Sequence, residues 1–201
     1  MSTPLLDTTL KAELADLYRA PGRHYHGLAH IEALLALAAE YRTALSDPEA
    51  VDAAIWFHDA IYDSRAKDNE AQSAGLARQK LAGRTDGTRI DRIATMIEAT
   101  APHEVPALAD PDHVRDAALL LDMDLSILGA EPDVFDAYEQ AVRREYSWVD
   151  EPAWRAGRGA VLNNFLARPH IFHTPEFRDR FEAQARENMA RSVERLARQP
   201  L

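Results

Sequence analysis

The apolar positions of this chain recur at three- and four-residue intervals, the period of a helix with one buried face. Leu34, Leu35, Leu37 and Ala38 follow that spacing, as do Ile90, Ile93, Ala94 and Ile97, and then Phe135, Tyr138, Val142 and Tyr146. Strictly alternating runs of β-branched residues, the mark of half-buried strands, are absent. Five prolines follow an acidic or capping residue: Asp47-Pro48, Asp110-Pro111, Glu131-Pro132, Glu151-Pro152 and Thr174-Pro175. Proline suits the first position of a helix, where its missing N–H would be unpaired anyway. The pattern predicts an all-α chain, with helices near 8–19, 25–45, 48–61, 69–82, 88–100, 111–128, 132–147, 152–167 and 175–198.

The segment Val51 to Tyr62 is apolar on nearly every face, which predicts a buried central helix. His58 and Asp59 sit inside it. A buried carboxylate needs a partner, and either a hydrogen-bonded histidine or a divalent cation can supply one. Upstream, His26 and His30 are four residues apart and are expected on one helical face. Downstream, Asp122 and Asp124 place two more carboxylates in an apolar stretch. Imidazole and carboxylate together suit Mn, Fe, Ni, Co or Zn, and Mg less well.

Composition narrows the partners. The 201 residues suffice for one domain, and 46% hydrophobic with 28% charged residues is ordinary for a globular protein. The formal net charge of -10 repels phosphate backbones, so neither nucleic acid nor an anionic membrane is expected as a partner. There is no cysteine, hence no disulfide, thiolate ligand or thiol nucleophile. The first residues lack an apolar stretch of signal-peptide length, and no run approaches the roughly 18 apolar residues of a membrane span. A cytoplasmic location is the expectation.

Four motifs stand in order: Tyr25-His26 through His30, Phe57-His58-Asp59-Ala60-Ile61-Tyr62-Asp63, Asp68-Asn69-Glu70-Ala71-Gln72-Ser73-Ala74, and Asp122-Met123-Asp124-Leu125-Ser126-Ile127-Leu128-Gly129. In this order they resemble the HD superfamily of metal-dependent phosphohydrolases, and most closely a group of small bacterial members. The resemblance continues through Arg144-Glu145-Tyr146 and Gly157-Arg158. It implies a single helical domain, with a metal-site core over about 23–130 and C-terminal helices over about 131–201 packed on it. It also implies one divalent cation held by His30, His58, Asp59 and Asp124, with Asp122 an open alternative to Asp124. A second ion is an option that extra histidines leave open.

The same resemblance implies hydrolysis of a small phosphate ester, such as a nucleotide, by a metal-activated water that Asp59 helps to orient. Glu70 and Asp63 are the candidate general acids, since a leaving alkoxide needs a proton. Arg23, His26 and His103 are the candidate substrate contacts, with Arg143, Arg144 and Arg158 as further cations that could instead anchor carboxylates. Two other readings remain at this stage. One is a di-iron oxygenase on the same fold, and the other a non-catalytic helical domain that binds a metal or ligand.

Overall fold

A computed structural model describes residues 4–198, which are all-helical, with no strand among them. The helices are α1 (Thr8–Tyr18), α2 (Leu28–Glu40), α3 (Pro48–Phe57), α4 (Asn69–Leu81), α5 (Gly87–Ala99), α6 (Pro111–Leu125), α7 (Pro132–Glu145), α8 (Glu151–Leu166) and α9 (Pro175–Arg198). Each expected helix is present, and all but the last end earlier than the pattern predicts. No helix among the described residues is long and apolar enough to cross a membrane. The chain forms two compact units, one through Asp124 and one from Leu125 on.

In the first unit α3 is the central helix. It packs against α1, α2, α4 and α5, and Val51, Ala53, Ala54, Ile55 and Phe57 are fully buried along it. Its start is fixed by charge. Both oxygens of the buried Asp116 carboxylate, on α6, accept from the backbone N–H groups of Ser46 and Asp47 at 2.8 Å. Asp47 in turn caps Ala50 N–H and pairs with Arg89 and Arg92 on α5. The caps and the proline at its first turn satisfy donors that a helix leaves open. Between α4 and α5 the chain reverses at Gly83, whose φ of 78° is open to a residue without Cβ.

In the second unit α9 packs on α8 and on the 3₁₀ turn Ser126–Gly129. The contact is close: a Cβ on Gly129 would stand 2.6 Å from the Cβ and carbonyl oxygen of Phe181. Asn188, fully buried on α9, donates to the carbonyls of Leu128 and Ala130 at 3.0 and 2.8 Å. Arg158 of α8 pairs with Glu139 of α7, whose other oxygen accepts from the Ser192 hydroxyl at 2.7 Å.

Two boundary differences matter for the site. The sequence pattern carries the second helix from 25, whereas α2 begins at Leu28 with Gly27 as its cap. A tight turn from Gly27 N–H to Tyr25 C=O keeps residues 25–27 outside the helix. His26 and His30 therefore do not share a helical face. Likewise α3 stops at Phe57, where the chain tightens as Ala60 N–H bonds Phe57 C=O. His58 and Asp59 stand at the end of the buried helix instead of within it.

Candidate metal centre

Three segments bring nitrogen and oxygen donors to one point in the first unit: the first turn of α2, the end of α3 and the last turn of α6. His30 Nε2 lies 3.2 Å from His58 Nε2 and 3.2 Å from Asp124 Oδ1. His58 Nε2 lies 3.1 Å from Asp59 Oδ2 and 3.7 Å from Asp124 Oδ1, and Asp59 Oδ2 is 3.9 Å from His30 Nε2. His30, His58 and Asp59 are buried, and Asp124 nearly so. His30, His58 and Asp124 form a group that could hold a metal ion. Asp59 adds a carboxylate within reach of both imidazoles.

The donor chemistry fits a divalent cation. Ligands about 2.1 Å from an ion and at right angles about it stand roughly 3 Å apart, close to the three shortest separations here. His58 Nδ1 lies 2.9 Å from the Ile55 carbonyl. That carbonyl can only accept, so the Nδ1 proton stays and the neutral ring keeps its lone pair on Nε2, the atom aimed at the cluster.

Electrostatics fits as well. Burial disfavours the charged imidazole of His58, but the charge of Asp59, its hydrogen bond and the charge of Asp124 outweigh this and raise the His58 pKa to about 9. Burial would raise the Asp59 pKa, yet the charges of His58 and His26 hold it well below the usual carboxylate range. Asp124 is likewise depressed against its burial, by hydrogen bonds from His103 and His30 and by the charge of His58. Two buried carboxylates are thus held ionised beside imidazoles, with positive charge needed to balance them.

Of the two carboxylates considered for α6, Asp124 joins the histidines. Asp122 is fully buried and belongs to no such group among the described residues. His103, after α5, is brought in too: its Nε2 lies 3.0 Å from Asp124 Oδ2. Its φ of 49° is the one positive value among described residues other than glycine. Residues held in that region cost free energy and cluster at functional sites.

His26 lies outside the donor group, its ring 6.3 Å from that of His30 and stacked on Tyr62 at 4.4 Å. Arg23 donates to the carbonyls of His26, Asp59 and Ala60. Asp63 is exposed, and its carboxylate accepts from Arg65 N–H. Glu70 is half-buried in the first turn of α4, with no hydrogen-bond or ion-pair partner among the described residues.

Asp68 occupies the cap of α4 without a side-chain cap bond. The Asp-Asn-Glu-x-x-Ser stretch instead braces the loop after Asp59. Asn69 exchanges two hydrogen bonds with the Asp63 backbone, and the Ser73 hydroxyl bonds both N–H and C=O of Ile61. Sequence reasoning missed these bracing roles. Their signal was the four-residue spacing of Asn69 and Ser73, which puts both on one face of α4.

No known family, curated protein or solved structure matches the chain.

Proposed function

We propose that this protein is a metal-dependent phosphohydrolase acting on a small phosphate ester, consistent with the resemblance of its ordered motifs to the HD superfamily. The observation that carries the reading is the convergence of His30, His58, Asp59 and Asp124, with donor separations from 3.1 to 3.9 Å in a buried setting. A divalent ion held by these residues would supply Lewis acidity, lowering the pKa of water and offsetting charge that builds on phosphorus.

The rest of the work falls to the side chains. The Asp59 carboxylate would orient the attacking water by accepting its hydrogen bond. Its depressed pKa keeps it an acceptor at neutral pH. His103 would hold the carboxylate of Asp124 in place from its far oxygen, or bind a phosphoryl oxygen at the rim. Glu70, whose side chain has no other partner among the described residues, is the less engaged of the two proposed acids and would carry a proton to the leaving oxygen. Asp63 is engaged with Arg65. His26, stacked and half-buried beside the cluster, adds a cation toward Asp59 and a donor for substrate.

Elemental analysis of protein purified without chelator, and again after reconstitution, tests this. About one divalent ion per chain, with phosphate release from nucleotides or other small esters, is the expected result. Protein that takes up no ion under either condition would overturn it. A dinuclear, oxygen-activating centre is a second reading. It is favoured by the third imidazole, His103, on the free oxygen of Asp124. Two irons per chain and dioxygen uptake would put it ahead.

A further inference from the structure

The backbone around Asp59 is held by one side chain from the loop between α1 and α2. Beyond Phe57, where α3 ends, carbonyl oxygens lose the N–H groups that a continuing helix would offer. Arg23 supplies them. Its Nη1 donates to Asp59 C=O at 2.6 Å and to His26 C=O at 2.9 Å, and its Nη2 donates to Ala60 C=O at 2.9 Å. Two acceptors flank a ligand carboxylate, and the third belongs to the turn that leads into His30.

The guanidinium is itself clamped. It lies 5.1 Å from the ring centroid of Tyr18 and 5.4 Å from that of Tyr62. Tyr62 stacks in turn on His26, at 4.4 Å and 25° between planes. The Tyr18 hydroxyl donates to Trp56 C=O at 3.0 Å, one turn before the ligands. Burial and the charge of Asp59 push the Tyr18 pKa well above its ordinary value, so it stays a neutral donor. Tyr18, Arg23, Tyr62 and His26 form a column that ties α1 to the end of α3.

We infer that Arg23 is a positioning residue for the cation centre: it sets the backbone of Asp59 and His26 against His30, and it is not the phosphate contact its charge suggested. The inference rests on reading the cluster as a cation site. A planar fork with donors on two nitrogens can serve three carbonyls at once while its faces lie against rings. A lysine ammonium keeps the charge but not that geometry. Partners outside the ligand set that orient a metal's ligands typically alter affinity by about 10–100-fold.

The test is Co(II) titration of the full chain after metal removal, following both the dissociation constant and the visible absorption band of the bound ion. Wild type is compared with Arg23→Lys, Arg23→Gln and Tyr62→Leu, with the helical content of each metal-free protein checked by circular dichroism. Both Arg23 variants are expected to weaken Co(II) by about 10–100-fold and to shift the band. Tyr62→Leu, which loosens the clamp and keeps the three donors of Arg23, is expected to weaken it by a smaller factor. A purely structural arginine would lower the melting temperature and leave the bound-ion spectrum unchanged, and that outcome overturns the inference. If the Arg23 variants fail to fold, unchanged affinity and spectrum in Tyr62→Leu overturn it. Wild type that binds no Co(II) overturns the cation-site reading and this inference together, whereas wild-type binding with unaffected variants removes the inference alone.

Discussion

The Nε2 atoms of His30 and His58 face one another across 3.2 Å, each with a carboxylate oxygen at a similar distance. Neutral rings can satisfy that approach only if one nitrogen donates and the other accepts. Because His58 keeps its Nδ1 proton on Ile55 C=O, a second proton there makes the ring a cation. With a metal ion at the cluster, both lone pairs point inward and no proton is needed between them. Proton and ion therefore compete for one place.

That competition has a sign. With the His58 pKa raised to about 9 in the metal-free fold, ion uptake at neutral pH must release a proton. Apparent affinity is expected to rise by about tenfold per pH unit from pH 7 toward 9 and then level off. Calorimetric titration in buffers of different ionisation enthalpy counts the protons released. Affinity that is flat over this range would contradict the arrangement.

Stability of the metal-free protein follows the same groups. His58 has a raised folded pKa, so its contribution is complete below the ordinary 6.5 and is lost as pH climbs through about 9. Asp59 and Asp124 have depressed values, so theirs is present above the ordinary 3.8 and is lost in acid as pH falls through the folded values. Urea midpoints without metal should therefore be highest between these limits and fall on the alkaline side. Saturating metal should abolish the alkaline fall.

Asp59→Ala removes one donor and a negative charge beside two imidazoles. Ion content is expected to drop from one per chain to near zero, an affinity loss of more than about 100-fold, while far-ultraviolet circular dichroism stays helical. Unchanged metal content would remove Asp59 from the ligand set.

Asp116→Ala leaves the N–H groups of Ser46 and Asp47 without their acceptor at the start of α3. Each such group costs about 1–3 kcal/mol when it cannot recover a partner. A loss of roughly 2–4 kcal/mol in chemical denaturation is expected, and Asp116→Asn, which keeps one acceptor oxygen, should lose less. A variant as stable as wild type would show that water replaces the carboxylate freely.

Gly129→Ala places a methyl 2.6 Å from Phe181 in the second unit. The backbone of α9 at Phe181 must shift to admit it, at an expected cost of about 1–3 kcal/mol. A midpoint equal to wild type would mean that α9 moves away at no cost.

The helices were legible because their periodicity and proline starts agree. His30, His58 and Asp124, which the structure gathers into a group that could hold a metal ion, were legible as candidates because such residue types have few other reasons to sit in apolar stretches. What the pattern could not reveal is where a helix gives way. Nothing in residues 25–27 breaks the apolar spacing, and only the turn closed by Gly27 N–H on Tyr25 C=O takes His26 off the face of α2. The role of Arg23 was hidden for a related reason. Its acceptors are backbone carbonyls up to 37 positions away, and carbonyls carry no sequence signature.

The donors of the cluster are widely spaced along the chain, 28 residues from His30 to His58 and 66 more to Asp124. An ion gathered by them would be a cross-link in a protein without cysteine. Closing loops of that length restricts the unfolded chain, an entropic effect of about 3–5 kcal/mol by analogy with disulfides. Unlike a disulfide, such a tie would be removable by a chelator and renewable without an oxidant. The lifetime of the folded first unit should then track the free metal concentration around it.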